Sequence, residues 1–135
     1  MPKIGYRTPW FKIDPTAFVG EHIVSKRGKT TIVGWGCHIY GDVELGEGIL
    51  IGPNVTINSS VHPIKPNINI KDQKTIHKKI IIEDHVFIGA GATVLGGNTV
   101  KSGAVIGAGS VLTEDHIIKE NEVWCGNPCK FLKKR

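Results

Sequence analysis

Residues 82–113 read IEDHVFIGAGATVLGGNTVKSGAVIGAGSVLT and return an aliphatic side chain at every sixth position: Ile82, Ile88, Val94, Val100, Ile106 and Leu112. The fourth residues after the first five are Val86, Ala92, Asn98, Ala104 and Ser110, mostly small or aliphatic. An amphipathic helix repeats at 3.6 and a half-buried strand at 2, so neither accounts for this period. A chain that makes a short strand, turns and makes another, with one side chain in six pointing inward, winds into a triangular parallel β-solenoid with three faces per coil. The glycines between the aliphatic positions suit its corners, where a side chain would hinder the backbone. A glycine-rich loop has no reason to hold this phase.

The same phase runs back towards the amino terminus. Ile13 and Val19 carry it first, with Ala17 and Ile23 four residues on; SKRGKT at 25–30 breaks it and is expected to bulge outward. It resumes at Val33, Ile39, Leu45, Ile51 and Ile57, with Cys37, Val43, Ile49 and Val55 as the second inward set. Cys37 is therefore a small core residue. About eleven repeats in phase predict close to four coils. Trp10 and Phe11, within the first dozen residues, are placed to cover the open end of the first coil.

A second break is larger. Ile57 and Ile82 lie twenty-five residues apart, one more than four repeats, so NSSVHPIKPNINIKDQKTIHKK cannot be wound wholly in register. Its middle, HPIKPNINIKD, predicts an external loop over roughly 58–75, with the wall resuming near residue 76 because Ile76 and Ile80 fit the downstream phase. One polar loop on a rigid wall is where function is expected. After Leu112, Glu122 to Cys125 reads as a last strand and Gly126-Asn127-Pro128 as a turn. Cys129 to Arg135 is expected to form a short helix packing Phe131 and Leu132, within a basic tail at 127–135.

Composition sets outer bounds. The chain, 135 residues and 40% hydrophobic, predicts one domain over 1–135 with a modest core. No apolar run approaches the roughly 20 residues of a membrane span, and MPKIGYRTPW lacks a signal-peptide apolar region, so a cytoplasmic location is expected. Cys37, Cys125 and Cys129 then read as reduced thiols, the last two at the wrong separation for a CxxC pair. The net charge of +5 favours an anionic ligand, while no nucleic-acid motif or aromatic-interleaved basic surface is present.

ILIGPNVTI at 49–57, the following VHP, EDHVFIGAGATV at 83–94, IGAGSVLTED at 106–115 and GNPCKFLKK at 126–134 resemble the left-handed β-helix hexapeptide acyltransferases. The closest likeness is to their sugar O-acetyltransferase branch, which includes the galactoside, maltose, nodulation-factor and capsular polysaccharide enzymes. That resemblance implies a left-handed parallel β-helix, a homotrimer, and acetyl-CoA lying in a groove between two subunits, with no metal requirement. It implies transfer of acetyl to a hydroxyl of a sugar or polysaccharide precursor, with a nucleotide-amino-sugar N-acetyltransferase as the enzymatic alternative and a structural solenoid as the non-enzymatic one.

Transfer from a thioester to an alcohol needs a base as the oxygen attacks, and an ordinary imidazole suits that at neutral pH. His62, in the His-Pro context after PNVTI, matches the family's catalytic histidine. His77 is second in line; His85 reads as a structural or groove-lining corner, and His22, His38 and His116 as surface corners. On the donor side, Phe87 matches an aromatic beside the pantetheine arm. Ala90 and Ala108 match positions whose backbone meets that arm, with the Ala90 amide near the thioester. Lys130 and Lys133 match basic positions at the nucleotide end. The chain departs from the galactoside pattern in having Glu114 where a lysine is usual, and Gly34 and Tyr40 or its neighbour where an acceptor-contacting Asn and Asp are expected. Simple galactosides are therefore disfavoured, and acceptors carried on a nucleotide, a lipid or a glycan stay open. A trimeric γ-type carbonic anhydrase would share the solenoid but needs a histidine pair five residues apart; from 62 to 77 and from 77 to 85 the intervals are fifteen and eight.

Overall fold

The computed structural model describes residues 9–135, and every described strand except three lies in a parallel wall. Three sheets form the faces of a prism. Face 1 stacks Phe11–Ile13, Thr31–Val33, Leu50–Ile51, Phe87–Ile88, Val105–Ile106 and Glu122–Cys125. Face 2 stacks Phe18–Val19, His38–Tyr40, Thr56–Asn58, Thr93–Leu95 and Val111–Leu112, and face 3 stacks Ile23–Ser25, Val43–Leu45, Ile80–Ile82, Thr99–Val100 and Ile117–Ile118.

The period of six becomes register. Ile13, Val33, Ile51, Ile88, Ile106 and Trp124 lie one above another on face 1. Val19, Ile39, Ile57, Val94 and Leu112 do so on face 2, and Ser25, Leu45, Ile82, Val100 and Ile118 on face 3. Most of these side chains are fully buried, each worth about 1.5–3 kcal/mol for an aliphatic residue. The second inward set, from Ala17 and Ile23 through Cys37 to Ala104 and Ser110, is buried as well. Cys37 donates its thiol to the Gly52 carbonyl at 3.0 Å, and burial pushes its pKa up, as befits an unreactive core thiol. Corner backbones nearly touch: a Cβ on Gly89 would come within 2.5 Å of the Ala108 nitrogen.

The structure departs from the sequence reading in four places. There are six coils rather than four, a stack of about 24 Å; the wall extends past Leu112 through Ile118 and Trp124. The segment 26–30 lies exposed outside the strands, as its broken phase predicts, its two extra residues leaving Ser25 and Val33 in wall register. The wall resumes at Ile80 rather than Ile76, because Ile76–His77 pairs antiparallel with Ser60–Val61 in a two-stranded ribbon outside the prism. The expected carboxy-terminal helix is instead the strand Lys130–Lys134, antiparallel to Glu122–Cys125 on face 1. Seven residues are too few for a stable helix, whereas the last wall strand offers a row of open N–H and C=O groups. His38 opens the strand His38–Tyr40 rather than sitting at a corner, pointing outward against Phe18 in an edge-to-face contact at 6.0 Å. At the amino terminus, Phe11 is itself part of the first coil and Trp10 packs on the core beneath the Arg27 guanidinium. The rest of the expected end cap, residues 1–8, lies outside the described residues.

Candidate active site

The ribbon replaces one ordinary corner between faces 2 and 3 and carries the external loop on its tip. Asn58 starts it, its Oδ1 accepting the Ser60 N–H at 2.9 Å and the Ser60 hydroxyl at 2.6 Å. Within the loop the buried Gln73 side chain donates to the carbonyls of Lys65 and Ile68, both at 3.0 Å, and accepts the Lys65 N–H at 3.1 Å. Three bonds from one amide close the loop on itself, beside the short 3₁₀ turn Ile70–Asp72. His62 sits where the ribbon meets this loop, exposed, with Nδ1 3.3 Å from Thr75 Oγ1. The exposed imidazole thus has one fixed edge and one open edge.

The residues expected on the donor side gather elsewhere. Leu50, Phe87, Val105 and Val123 are register neighbours on the outer side of face 1, and Lys133 pairs with Val123, so one stripe runs from an apolar middle to a basic end. Lys130 pairs with Cys125 beside it. Ala90 and Ala108 are exposed at the corner between faces 1 and 2, one coil apart. The Ala90 carbonyl accepts the Gly109 N–H at 2.8 Å, whereas the amides of both alanines donate to no protein group among the described residues. Phe87, Ala90, Ala108, Lys130 and Lys133 therefore share one side of the prism. His62 belongs to the corner between faces 2 and 3, with all of face 2 intervening.

Charges settle locally. Lys78 Nζ binds Glu114 at 2.9 Å and Asp115 at 2.8 Å; the Asp115 hydrogen bond first, then that of Glu114, raises the lysine pKa. The Glu114 that would oppose a phosphate is thus paired. His85 occupies a left-handed corner at φ 58°, and its ring lies over Gly48, where a Cβ would meet Nδ1 at 2.5 Å. His116 Nδ1 lies 3.0 Å from the Thr113 carbonyl, with its ring edge-on to Trp124. Sequence reasoning missed Gln73, Thr75 and the buried Ser59, which meets His77 Nδ1 at 3.2 Å. A lone Gln or Thr in a polar loop carries no pattern that would single it out.

Residues 79–114 match a model described as the hexapeptide repeat of succinyl-transferase. A galactoside O-acetyltransferase of Lactococcus lactis is 41% identical over 93 residues, covering 69% of this chain and 44% of the relative. The mitochondrial gamma carbonic anhydrase 2 of Arabidopsis thaliana is 37% identical over 119 residues, covering 79% and 42%. The chain thus spans less than half the length of these relatives. Among solved structures, a maltose O-acetyltransferase from Clostridium difficile 630 superposes with a TM-score of 0.67 at 31% identity over 92% of this chain and 63% of the other. A galactoside acetyltransferase in complex with coenzyme A gives 0.68 at 29% over 92% and 64%. No helix among the described residues is long and apolar enough to cross a membrane. A six-residue phase that becomes wall register, and relatives that match along that wall, identify the chain as a member of the hexapeptide-repeat family of left-handed parallel β-helix proteins.

Proposed function

We propose that the protein is an acetyl-CoA-dependent acetyltransferase acting on a hydroxyl of a sugar or polysaccharide precursor, with His62 as general base. The observation that carries this is the exposed imidazole of His62, held by one edge against Thr75 on a loop that Gln73 closes. The similarity to the galactoside O-acetyltransferase supports the choice of reaction. For base work Nε2 must be bare, so Nδ1–H donates to Thr75 Oγ1. The imidazole takes the acceptor's hydroxyl proton as the oxygen forms its bond to the acetyl carbonyl carbon. The same proton then passes to the departing thiolate as the C–S bond breaks, leaving ester, CoA thiol and neutral His62. The open amide of Ala90 is the donor for the oxyanion, with Phe87 and Ala108 along the pantetheine and Lys130 and Lys133 at the nucleotide.

Since face 2 separates His62 from that stripe, the site is completed between subunits, and the assembly is a homotrimer with three equivalent sites. The exposed isoleucines 64, 68, 70 and 76 on the loop and ribbon support a loop that packs on a neighbouring copy. The similarity to gamma carbonic anhydrases keeps a metal-dependent reading in view, but no histidine pair of the chain is five residues apart. His62→Ala is expected to lower kcat by about 10²–10⁴-fold, measured as CoA release with a sugar and glycan panel. Its sedimentation as a trimer and its CoA affinity should stay unchanged. Full activity in the variant, or a monomeric wild type, refutes this assignment.

A further inference from the structure

The corner between faces 2 and 3 holds a second imidazole that the transfer chemistry leaves unused. His77 lies with Nδ1 3.2 Å from Ser59 Oγ. Ser59 is fully buried, and its oxygen already accepts the Asp42 N–H at 2.7 Å. A hydroxyl has one hydrogen to give, and the acceptor placed for it among the described residues is His77 Nδ1. A neutral ring that accepts at Nδ1 carries its proton on Nε2. Gly41 makes the contact possible: its φ is 90°, and a Cβ there would collide with Ser59 Oγ and crowd the imidazole.

His77 lines a cleft of roughly 540 Å³ with His22, Val24, Gly41 and Asp42. Pockets for small organic ligands span about 300–1,000 Å³. Among the described residues no three His, Cys, Asp or Glu side chains stand close enough to hold a metal ion, so His22, Asp42 and His77 suit a ligand of several atoms better than a cation. Asp42 has no side-chain partner among the described residues, and its carboxylate accepts hydrogen bonds while opposing an anion. The half-exposed Tyr40 ring leans on His77 at 6.3 Å between centroids. An N–H donor and a carboxylate acceptor side by side match a neutral sugar, whose hydroxyls both give and take, while Tyr40 steadies the His77 ring from outside the cleft. His77 also follows Thr75, the partner of His62, by two residues, the spacing that repeats a side in extended chain.

We propose that this cleft seats the neutral sugar ring of the acceptor, with His77 as a specificity-determining donor whose Nε2–H is fixed by Ser59; the acceptor role rests on His62 being the transfer centre. Nitrogen-15 NMR of histidine-labelled protein at pH 8 should show His77 protonated at Nε2 and bare at Nδ1, a state lost in Ser59→Ala. Titration with methyl hexosides should shift the His77 and His22 signals, and hexose 6-phosphates should bind no tighter. His77→Ala should abolish those shifts and raise the acceptor KM at least about tenfold with the acetyl-CoA KM unchanged, while His77→Gln, which keeps a donor nitrogen at similar reach, should restore part of both. A proton on Nδ1 of His77, unshifted signals with every hexoside, or binding unaltered in His77→Ala overturns the proposal. Hexoside binding through His77 in a protein that transfers no acetyl group would sink the transfer assignment and leave the cleft standing.

Discussion

Asn98 is the one fully buried amide in the inward rows, and replacing it tests how the corners are held. Its Nδ2 donates to the carbonyls of Leu95 at 2.7 Å and Thr113 at 2.8 Å, and its Oδ1 accepts the His116 N–H at 3.0 Å. Asn98→Leu keeps the shape and removes all three bonds. The Thr113 carbonyl retains the His116 ring as a neighbour, so the Leu95 carbonyl and the His116 N–H lose their side-chain partner. At about 1–3 kcal/mol for each buried group left unpaired, less the gain from added apolar burial, the expected cost is about 3 kcal/mol. Asn98→Asp should cost more at pH 7, because it buries a charge and turns an oxygen towards two carbonyls. That burial raises the folded carboxyl pKa above its unfolded value, so the deficit should shrink as pH falls through the folded pKa and the carboxyl regains a donor. Urea unfolding at fixed protein concentration, with m-values compared, reads both effects. A cost below 1 kcal/mol for Asn98→Leu, or an Asp variant no worse than the Leu variant at pH 7, would refute the reasoning.

Replacing Lys130 and Lys133 together by Ala should raise the acetyl-CoA KM more than it lowers kcat, since the nucleotide end is remote from the transferred group; an unchanged KM in steady-state kinetics would remove both from the donor site. Asp84 accepts the Glu47 N–H and pairs with Lys26, which in that order hold its carboxyl below the ordinary 3.8. A lowered folded pKa stabilises above the unfolded value and is lost as pH falls through the folded one. The melting-temperature advantage of wild type over Asp84→Asn should therefore be constant near neutrality and vanish only below about pH 4.

What the sequence made legible is what repeats. Ile82, Val94 and Ile106 announced their register because one side chain in six meets the same environment at every coil, and a shared environment leaves a periodic trace. The six-coil height was harder, since a two-residue insertion between Ser25 and Val33 and the aromatic Trp124 in an aliphatic row both hide the phase. Ile76 misled for the opposite reason: an isoleucine four residues before Ile80 imitates the wall spacing while pairing with Val61 outside it. The helix expected for KFLKK failed because the open edge of the preceding strand outweighs the weak local preference of so short a segment. His62 is a candidate from its motif context, whereas Thr75 and Ser59 carry no such context. Their roles follow from which imidazole edge they meet, and that is a property of the ribbon rather than of any sequence spacing.

In the proposed assignment those two hydroxyls select opposite tautomers of the His77 and His62 rings. Ser59 is sealed from water and already accepts a backbone N–H, so its hydrogen has to go to His77. Thr75 is only half-buried, and its hydroxyl hydrogen can go to solvent, leaving the oxygen free to accept from His62 Nδ1–H. On the proposed reading, the burial of Ser59 makes His77 a donor and the exposure of Thr75 leaves His62 free to act as a base. Thr75→Val keeps the β-branched shape and removes only the acceptor, so the His62 ring loses the contact that selects its tautomer and orientation. The expected result is a fall in kcat of about tenfold, smaller than for His62→Ala, with the acetyl-CoA KM unmoved. In a His62→Ala background the same substitution should have no further effect, because residues that act through one another are not additive. An equal loss in both backgrounds would mean that Thr75 supports the fold of the loop and that the His62 tautomer is set by something else.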